Sequence, residues 1–254
     1  MHEVIAFYES IDGAGAWTEL AAVADQTHRV AGDDIQIGPA NKVFAIAAMI
    51  ENAVAPGARL VSPSLRQYGL PRIAPLNVGA AAAVEPQSPP AVMDLRQCPL
   101  LLVERDQLNF QHFSNPAAAQ IQSALIFLCR DVPAPVSGPI RTVRLTSATA
   151  AVAGAWTTVP LVWDEDLLPG KYAIVGMKAI SAGCLGARLI IGGQAERPGC
   201  LGCDSIGDID EPMFRFGVLG SWGEFTDDNP PLVEVLSISA DGTQEYYLDL
   251  IKTA

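Results

Sequence analysis

The feature that most constrains this chain is an internal repeat. Ala14-Gly15-Ala16-Trp17-Thr18 recurs as Ala153-Gly154-Ala155-Trp156-Thr157, and Phe44-Ala45-Ile46-Ala47-Ala48-Met49 is matched by Tyr172-Ala173-Ile174-Val175-Gly176-Met177. Gly57-Ala58-Arg59-Leu60-Val61 is matched by Gly186-Ala187-Arg188-Leu189-Ile190, and Pro89-Pro90-Ala91-Val92 by Pro230-Pro231-Leu232-Val233. The four matches keep their order, with offsets of 139, 128, 129 and 141 residues. A period of that size is a whole domain, far above the roughly 20–50 residues of a solenoid repeat. In a chain of 254 residues it predicts two similar domains in tandem.

The domains are placed at residues 1–113 and 140–254, joined by a segment at 114–139. That segment holds Asn115-Pro116-Ala117-Ala118-Ala119-Gln120, a candidate short helix. It ends in the proline-rich run from Asp131 to Pro139, stiff enough for a boundary.

Glycine and proline, 22 and 19 residues, are scattered along the chain, as many short strands joined by turns require. Helical periodicity is confined to 44–52 and 117–128. The first of these is read as strand because its repeat partner, 171–180, is strand-like. Further strands are expected at 3–10, 17–23, 34–37, 58–61 and 100–103. Others are expected at 124–129, 141–146, 156–163, 187–191, 214–219, 232–238 and 245–251. Several alternate, with Val143 and Leu145 inward and Arg144 and Thr146 outward. About eight strands from the join onward, with long connections, suit a jelly roll, and with the repeat they predict an all-β fold of two tandem jelly-roll β-sandwiches, a double jelly roll. An immunoglobulin-like sandwich would need a Cys…Trp…Cys spacing that does not occur.

Charge narrows the function. A net charge of −12 opposes direct, sequence-specific nucleic-acid binding, and the nearest thing to a basic cluster is Arg141 and Arg144 with Arg130 upstream. Charged residues are 17% of the chain, which suits a surface largely hidden in an assembly and equally a well-packed β protein with short polar turns. No apolar run is long enough for a membrane helix, and Met1-His2-Glu3 lacks the basic start of a signal peptide.

Reactive constellations are sparse. His2, His28 and His112 include no HxH, so the metal site of a two-domain cupin is not expected. There is no GxSxG, and Gly13-Ala14-Gly15 is too short for a phosphate loop. Cys98, Cys129, Cys184, Cys200 and Cys203 are an odd set, and Cys200-Leu201-Gly202-Cys203 is a CxxC without a second pair, read as free thiols. Three acidic groups could supply a calcium site or glycosidase acids, but solvated loops are the plainer reading. They are Asp164-Glu165-Asp166, Asp208-Ile209-Asp210-Glu211, and Glu224 with Asp227-Asp228. No catalytic, cofactor or metal residue is assigned, and the chain is not expected to be an enzyme.

The four tryptophans could form a sugar-stacking platform. Trp17 and Trp156, as repeat partners, are read as core or intersheet anchors. Trp222, in Gly220-Ser221-Trp222-Gly223, is the candidate interface residue, with Glu224 and Phe225 beside it.

The second half carries family-like strings: Ser137 to Arg144, Leu168 to Met177, Gly186-Ala187-Arg188-Leu189, Phe214 to Phe225 and Pro230 to Leu236. In these the chain resembles the vertical jelly-roll major capsid proteins of icosahedral bacteriophages and archaeal viruses, and structural proteins of uncultivated phages. The resemblance covers residues 137–251 in some detail and the first half only through the repeat. It implies a coat subunit made in the host cytoplasm and resident in the virion. Three chains would build a pseudo-hexameric capsomer of an icosahedral shell beside other capsid proteins. The length leaves no room for large tower insertions. The alternative reading is a carbohydrate-binding or spike-like adhesion module.

Overall fold

The computed structural model describes residues 2–11, 15–51, 57–68, 73–76, 79–81, 92–113, 120–131, 135–205 and 212–254. The protein is all-β: the described residues form strands, turns and two short 3-10 turns, with no α-helix among them. The chain divides into two compact units. The described residues from 5 to 130 form the N-terminal unit. Residues from 131 onward form the C-terminal unit, joined by residues 2–4 from the start of the chain.

The N-terminal unit contains β1 (His2–Ile11, from residue 5 onward), β2 (Trp17–Glu19), β3 (Val30–Ala31), β4 (Asp34–Gln36), β5 (Lys42–Glu51) and β6 (Gly57–Val61). It continues with β7 (Ile73–Leu76), β8 (Gly79–Ala81), β9 (Val92–Asp94), β10 (Leu100–Leu101), β11 (Gln107–Phe113) and β12 (Gln120–Cys129). One sheet runs β1-β12-β5-β10, with β8 and β9 also on β5. The other runs β3-β4-β11-β6-β7, with β2 on β11. Ile5, Phe7, Ile46, Ile126 and Leu128 from the first sheet meet Ile35, Leu60, Leu108 and Phe110 from the second in one core. Burying side chains of this kind stabilises by about 1.5–3 kcal/mol each, which holds the two sheets face to face.

The C-terminal unit contains β13 (Arg141–Ser147), β14 (Thr157–Val159), β15 (Val162–Trp163), β16 (Lys171–Ile180) and β17 (Cys184–Ile190). It ends with β18 (Gly199–Cys203), β19 (Gly223–Thr226), β20 (Leu232–Ser237) and β21 (Gln244–Lys252). These strands follow one path, β14-β20-β17-β18-β16-β21-β13-β15, with β19 on β16. β18 is the crossing point, antiparallel to β17 and parallel to β16. It passes so close to β17 that a Cβ at Gly199 or Gly202 would collide with the carbonyls of Ala187 or Cys184.

Once the extra pieces β3, β4, β10 and β15 are set aside, the two units share one plan. β1-β12-β5 matches β13-β21-β16, and β2-β11-β6 matches β14-β20-β17. β9 sits on β5 as β19 sits on β16. The return to the opposite sheet also matches: Glu51 pairs in parallel with Ala81 as Ala179 pairs with Gly202. Three of the four sequence matches fall on equivalent places, before β2 and β14, along β5 and β16, and along β6 and β17. Gly15 and Gly154 take the same left-handed conformation, φ 63° and 70°. The fourth match does not hold. Val92 opens β9, whereas Leu232 opens β20, whose equivalent is β11. A Pro-Pro step stops one segment and releases the next, so it marks a strand start without saying which strand.

Other expectations change too. The strand expected at 124–129 is present and longer, as β12 from residue 120 against β5, because residues 122–129 are buried on both faces despite their helical periodicity. The candidate helix at 115–120 lies outside the described residues except for Gln120, which opens β12. Residues 214–219 are not a strand. Pro212–Phe214 is a 3-10 turn, and Phe216 and Gly217 follow at φ 54° and 77°. The buried Asp249 carboxylate holds that turn by accepting from Arg215 Nε at 2.7 Å and from the Phe216 N–H at 3.0 Å. Strands β11 and β18 were not anticipated. Gln107–Phe113 is half polar and Gly199–Cys203 is glycine-rich, so neither has β-branched character.

Candidate functional site

The candidate interface residues are placed unlike their expected roles. Trp222 is fully buried in the C-terminal unit, with the His2 ring edge-on to it at 4.7 Å. Phe225 is buried too, stacked on Tyr172 at 5.6 Å between centroids. Neither offers a surface to a partner. Their glycine-flanked loop folds inward because the Trp222 backbone N–H donates to the Ile174 carbonyl at 2.8 Å. Of the three, only Glu224 reaches solvent, where it is ion-paired with Lys171.

The expected core pair, Trp17 and Trp156, stands elsewhere. Ala58 and Leu60 point into the N-terminal core, so Arg59 between them points out of the other face of β6. Its guanidinium lies over the Trp17 ring, 4.1 Å from the centroid, and its Nε donates to Gln111 Oε1 at 2.7 Å. Gln111 faces Arg59 directly across the β6–β11 ladder and Glu19 across the β11–β2 ladder. It donates through Nε2 to Glu19 Oε1 at 3.0 Å.

The C-terminal unit repeats this ladder. Arg188 lies over the Trp156 ring at 4.2 Å and donates from Nε to Glu234 Oε2 at 2.7 Å. Glu234 faces Arg188 across β17–β20 and Thr158 across β20–β14. The Gly-Ala-Arg-Leu strings and the two tryptophans were visible as repeats. That each arginine lies on its own tryptophan depends on strand register and was not. The copies differ in exposure. Arg188 and Glu234 are buried where Arg59 and Gln111 are half-buried, and Trp156 is half-buried where Trp17 is 42% exposed, while Glu19 and its counterpart Thr158 are both exposed.

The acidic groups gather in part. Glu165, Asp166 and Asp227 line a shallow cleft of about 320 Å³ in the C-terminal unit, with Trp163, Leu167 and Pro230. Glu165 also takes Arg141 at 2.5 Å, and Asp227 accepts the Gly170 N–H at 2.8 Å. Asp164 pairs with Arg144 at 2.7 Å, and Arg144 also reaches Glu245 at 2.8 Å. The loose basic cluster is therefore neutralised by neighbouring carboxylates at Arg141 and Arg144. Glu245 is held below the usual carboxylate range, chiefly by its hydrogen bond to Arg144. Asp208, Asp210 and Glu211 lie outside the described residues, as do Gly13 and Ala14 of the short glycine string. Among the described residues no three of His, Cys, Asp and Glu converge as metal ligands.

The histidines do not form a group. His2 lies in the C-terminal unit and His28 and His112 in the N-terminal one. Burial pushes His2 and His112 down to about 3, so both are neutral. His112 Nδ1 meets Gln122 Oε1 at 3.2 Å, and His28 pairs with Asp25 at 3.3 Å. All five cysteines are free thiols. Cys98 alone is exposed, and burial pushes the Cys184 and Cys200 thiols well up. The CxxC is a stretch of buried strand.

The chain matches no family model, no curated protein and no solved structure.

Proposed function

We propose that this chain is the major coat subunit of an icosahedral prokaryotic virus, two jelly rolls in one polypeptide that assemble as pseudo-hexameric trimers. The observation that carries the reading is the strand order. Numbered within each unit, with β7 and β8 together counted as the fifth strand, one sheet runs first–eighth–third–sixth and the other second–seventh–fourth–fifth. A jelly roll is built of eight strands in two sheets, and the strand order of both units is compatible with that arrangement. Two similar wedges per chain let three chains supply six near-equivalent positions around a ring. The conserved parts of the repeat are strands, turns and the Arg-on-Trp ladder, which are structural features of a building block. Purified protein is expected to run as a trimer in light scattering and to form rings or shells in negative stain. A monomer at every concentration would refute the reading.

A second reading, a carbohydrate-binding or spike-like adhesion module, is favoured by the Trp163 cleft, where one aromatic face stands beside three carboxylates. An aromatic face with polar acceptors suits a sugar ring. Glycan-array binding abolished by Trp163→Ala, in a protein that stays monomeric, would favour it over the coat reading.

A further inference from the structure

The Arg-on-Trp ladder occurs in both units, and its two copies differ in what lies against them. In the C-terminal unit Arg188 projects from the sheet face away from Ala187 and Leu189 and is still only 1% exposed. Residues 2–4 lie there. Arg188 Nη1 donates to the Val4 carbonyl at 3.2 Å, and the Val4 N–H donates to the Arg197 carbonyl at 2.9 Å. The Gly199 N–H donates to His2 Nε2 at 3.3 Å. An extended segment thus seats on the ladder through its backbone, a form of strand addition. In the N-terminal unit the same ladder has Trp17 exposed and Arg59 and Gln111 half-buried, with Glu19 at the rim, exposed like its counterpart Thr158.

The repeat identifies what would fill the open copy. Residues 2–4 open β1, so their counterpart opens β13, where Arg141 and Thr142 pair on one edge with Leu250 and Asp249 of β21. Ile5 and Phe7 face their unit's core as Val143 and Leu145 face theirs. Phe7 bridges Ala22, just past β2, and Leu145 pairs with Trp163, just past β14. Taking the inward pair Ile5 and Phe7 as the counterpart of Val143 and Leu145 aligns His2, Glu3 and Val4 with Ile140, Arg141 and Thr142. The first three are buried; the second three are all exposed, Ile140 at 40%. The chain therefore carries one open receiving ladder and one exposed strand leader of the kind such a ladder receives.

Charge has changed in step on both sides. The receiving ladder has Glu19 where the C-terminal copy has Thr158, and the leader has Arg141 where the seated one has Glu3. The ladder's one carboxylate stands at the exposed position 19 in the N-terminal copy and at the buried position 234, opposite Arg188, in the C-terminal copy, and the leader carries a cation where the seated one carries a carboxylate.

We infer that the Trp17–Glu19–Arg59–Gln111 face of one copy receives residues 140–142 of a second copy of this chain. The contact is heterologous, since the two surfaces differ, so it propagates head to tail and closes into a ring or runs on as a filament. It deepens the coat reading by naming the residues through which subunits meet, and it rests on that reading only for the expectation that the ring holds three chains.

The test uses the full chain with Glu19→Arg, Arg141→Glu and the two together, followed by sedimentation velocity over a concentration series. Thermal melts check that each variant is folded. Each single variant is expected to raise the concentration of half-assembly by about tenfold or more, and the pair to recover most of it, as charge complementarity requires. Ile140→Asp, which leaves the Arg141–Glu165 pair in place, is expected to weaken assembly likewise. If the wild type forms trimers and all these variants match it, the proposed contact is wrong and the coat reading stands. If the wild type is monomeric throughout, both fall.

Discussion

Arg188→Ala and Arg59→Ala remove the same group from the same place in two units, and the structure assigns them different costs. Arg188 is 1% exposed, with Glu234 buried at 2.7 Å and the Val4 carbonyl at 3.2 Å. Truncating it leaves a buried carboxylate without its cation, for which about 3–5 kcal/mol is expected. Arg59 is half-buried, its acceptor is the neutral amide of Gln111, and water can replace it. Its loss removes an exposed cation–π contact of about 0.5–1 kcal/mol and a hydrogen bond of about 0.5–1.5 kcal/mol.

Urea unfolding followed by circular dichroism and tryptophan fluorescence measures both. The C-terminal unit should lose about 2 kcal/mol or more beyond the loss in the N-terminal unit. Adding Glu234→Gln to Arg188→Ala should recover part of the deficit, because a neutral amide costs less to bury than an unpaired carboxylate. Equal costs for the two arginines, or no recovery in the double variant, would refute the reasoning from burial.

Three further outcomes follow from buried groups. His2 and His112 are depressed to about 3 from an ordinary 6.5, so the unfolded chain binds their protons first. Stability is full above pH 6.5 and falls with pH by about 1.4 kcal/mol per unit for each histidine, towards pH 3. Denaturation midpoints between pH 6.5 and 4.5 should show this, with His112→Gln flattening the slope in the N-terminal unit. Gly176→Ala would place a Cβ 2.5 Å from Asp249 Oδ2 and 2.9 Å from the Arg215 Cα. It should cost about 2 kcal/mol or more by forcing the Arg215–Asp249 turn off the sheet, read as a lowered melting temperature. In a thiol titration of the native protein only Cys98 should react promptly, and the other four should appear on unfolding. Fast labelling of Cys200 or Cys203 would mean that β18 is not the closed crossing described.

The chain's own order of residues determined that the fold is all-β and built twice. Alternation at Val143 and Leu145, the Gly-Ala-Trp turns and the Gly-Ala-Arg-Leu strands are local patterns, and a local pattern is enough to set a strand's faces. The candidate site was much less legible. Trp222 and Phe225 sit among glycines that suggest a loop tip, yet the backbone bond from Trp222 to Ile174 draws them inward. The Pro-Pro pair at 230–231 was matched to the wrong partner because proline marks boundaries and carries no pairing information. Tertiary structure decided which strands lie side by side, and through register that Arg59 falls opposite Gln111 and Arg188 opposite Glu234. It also decided that residues 2–4 cover one ladder while the other faces solvent. Pairing between strands tens of residues apart depends on loop lengths and on the sum of many side-chain contacts, and no short string of sequence encodes that sum.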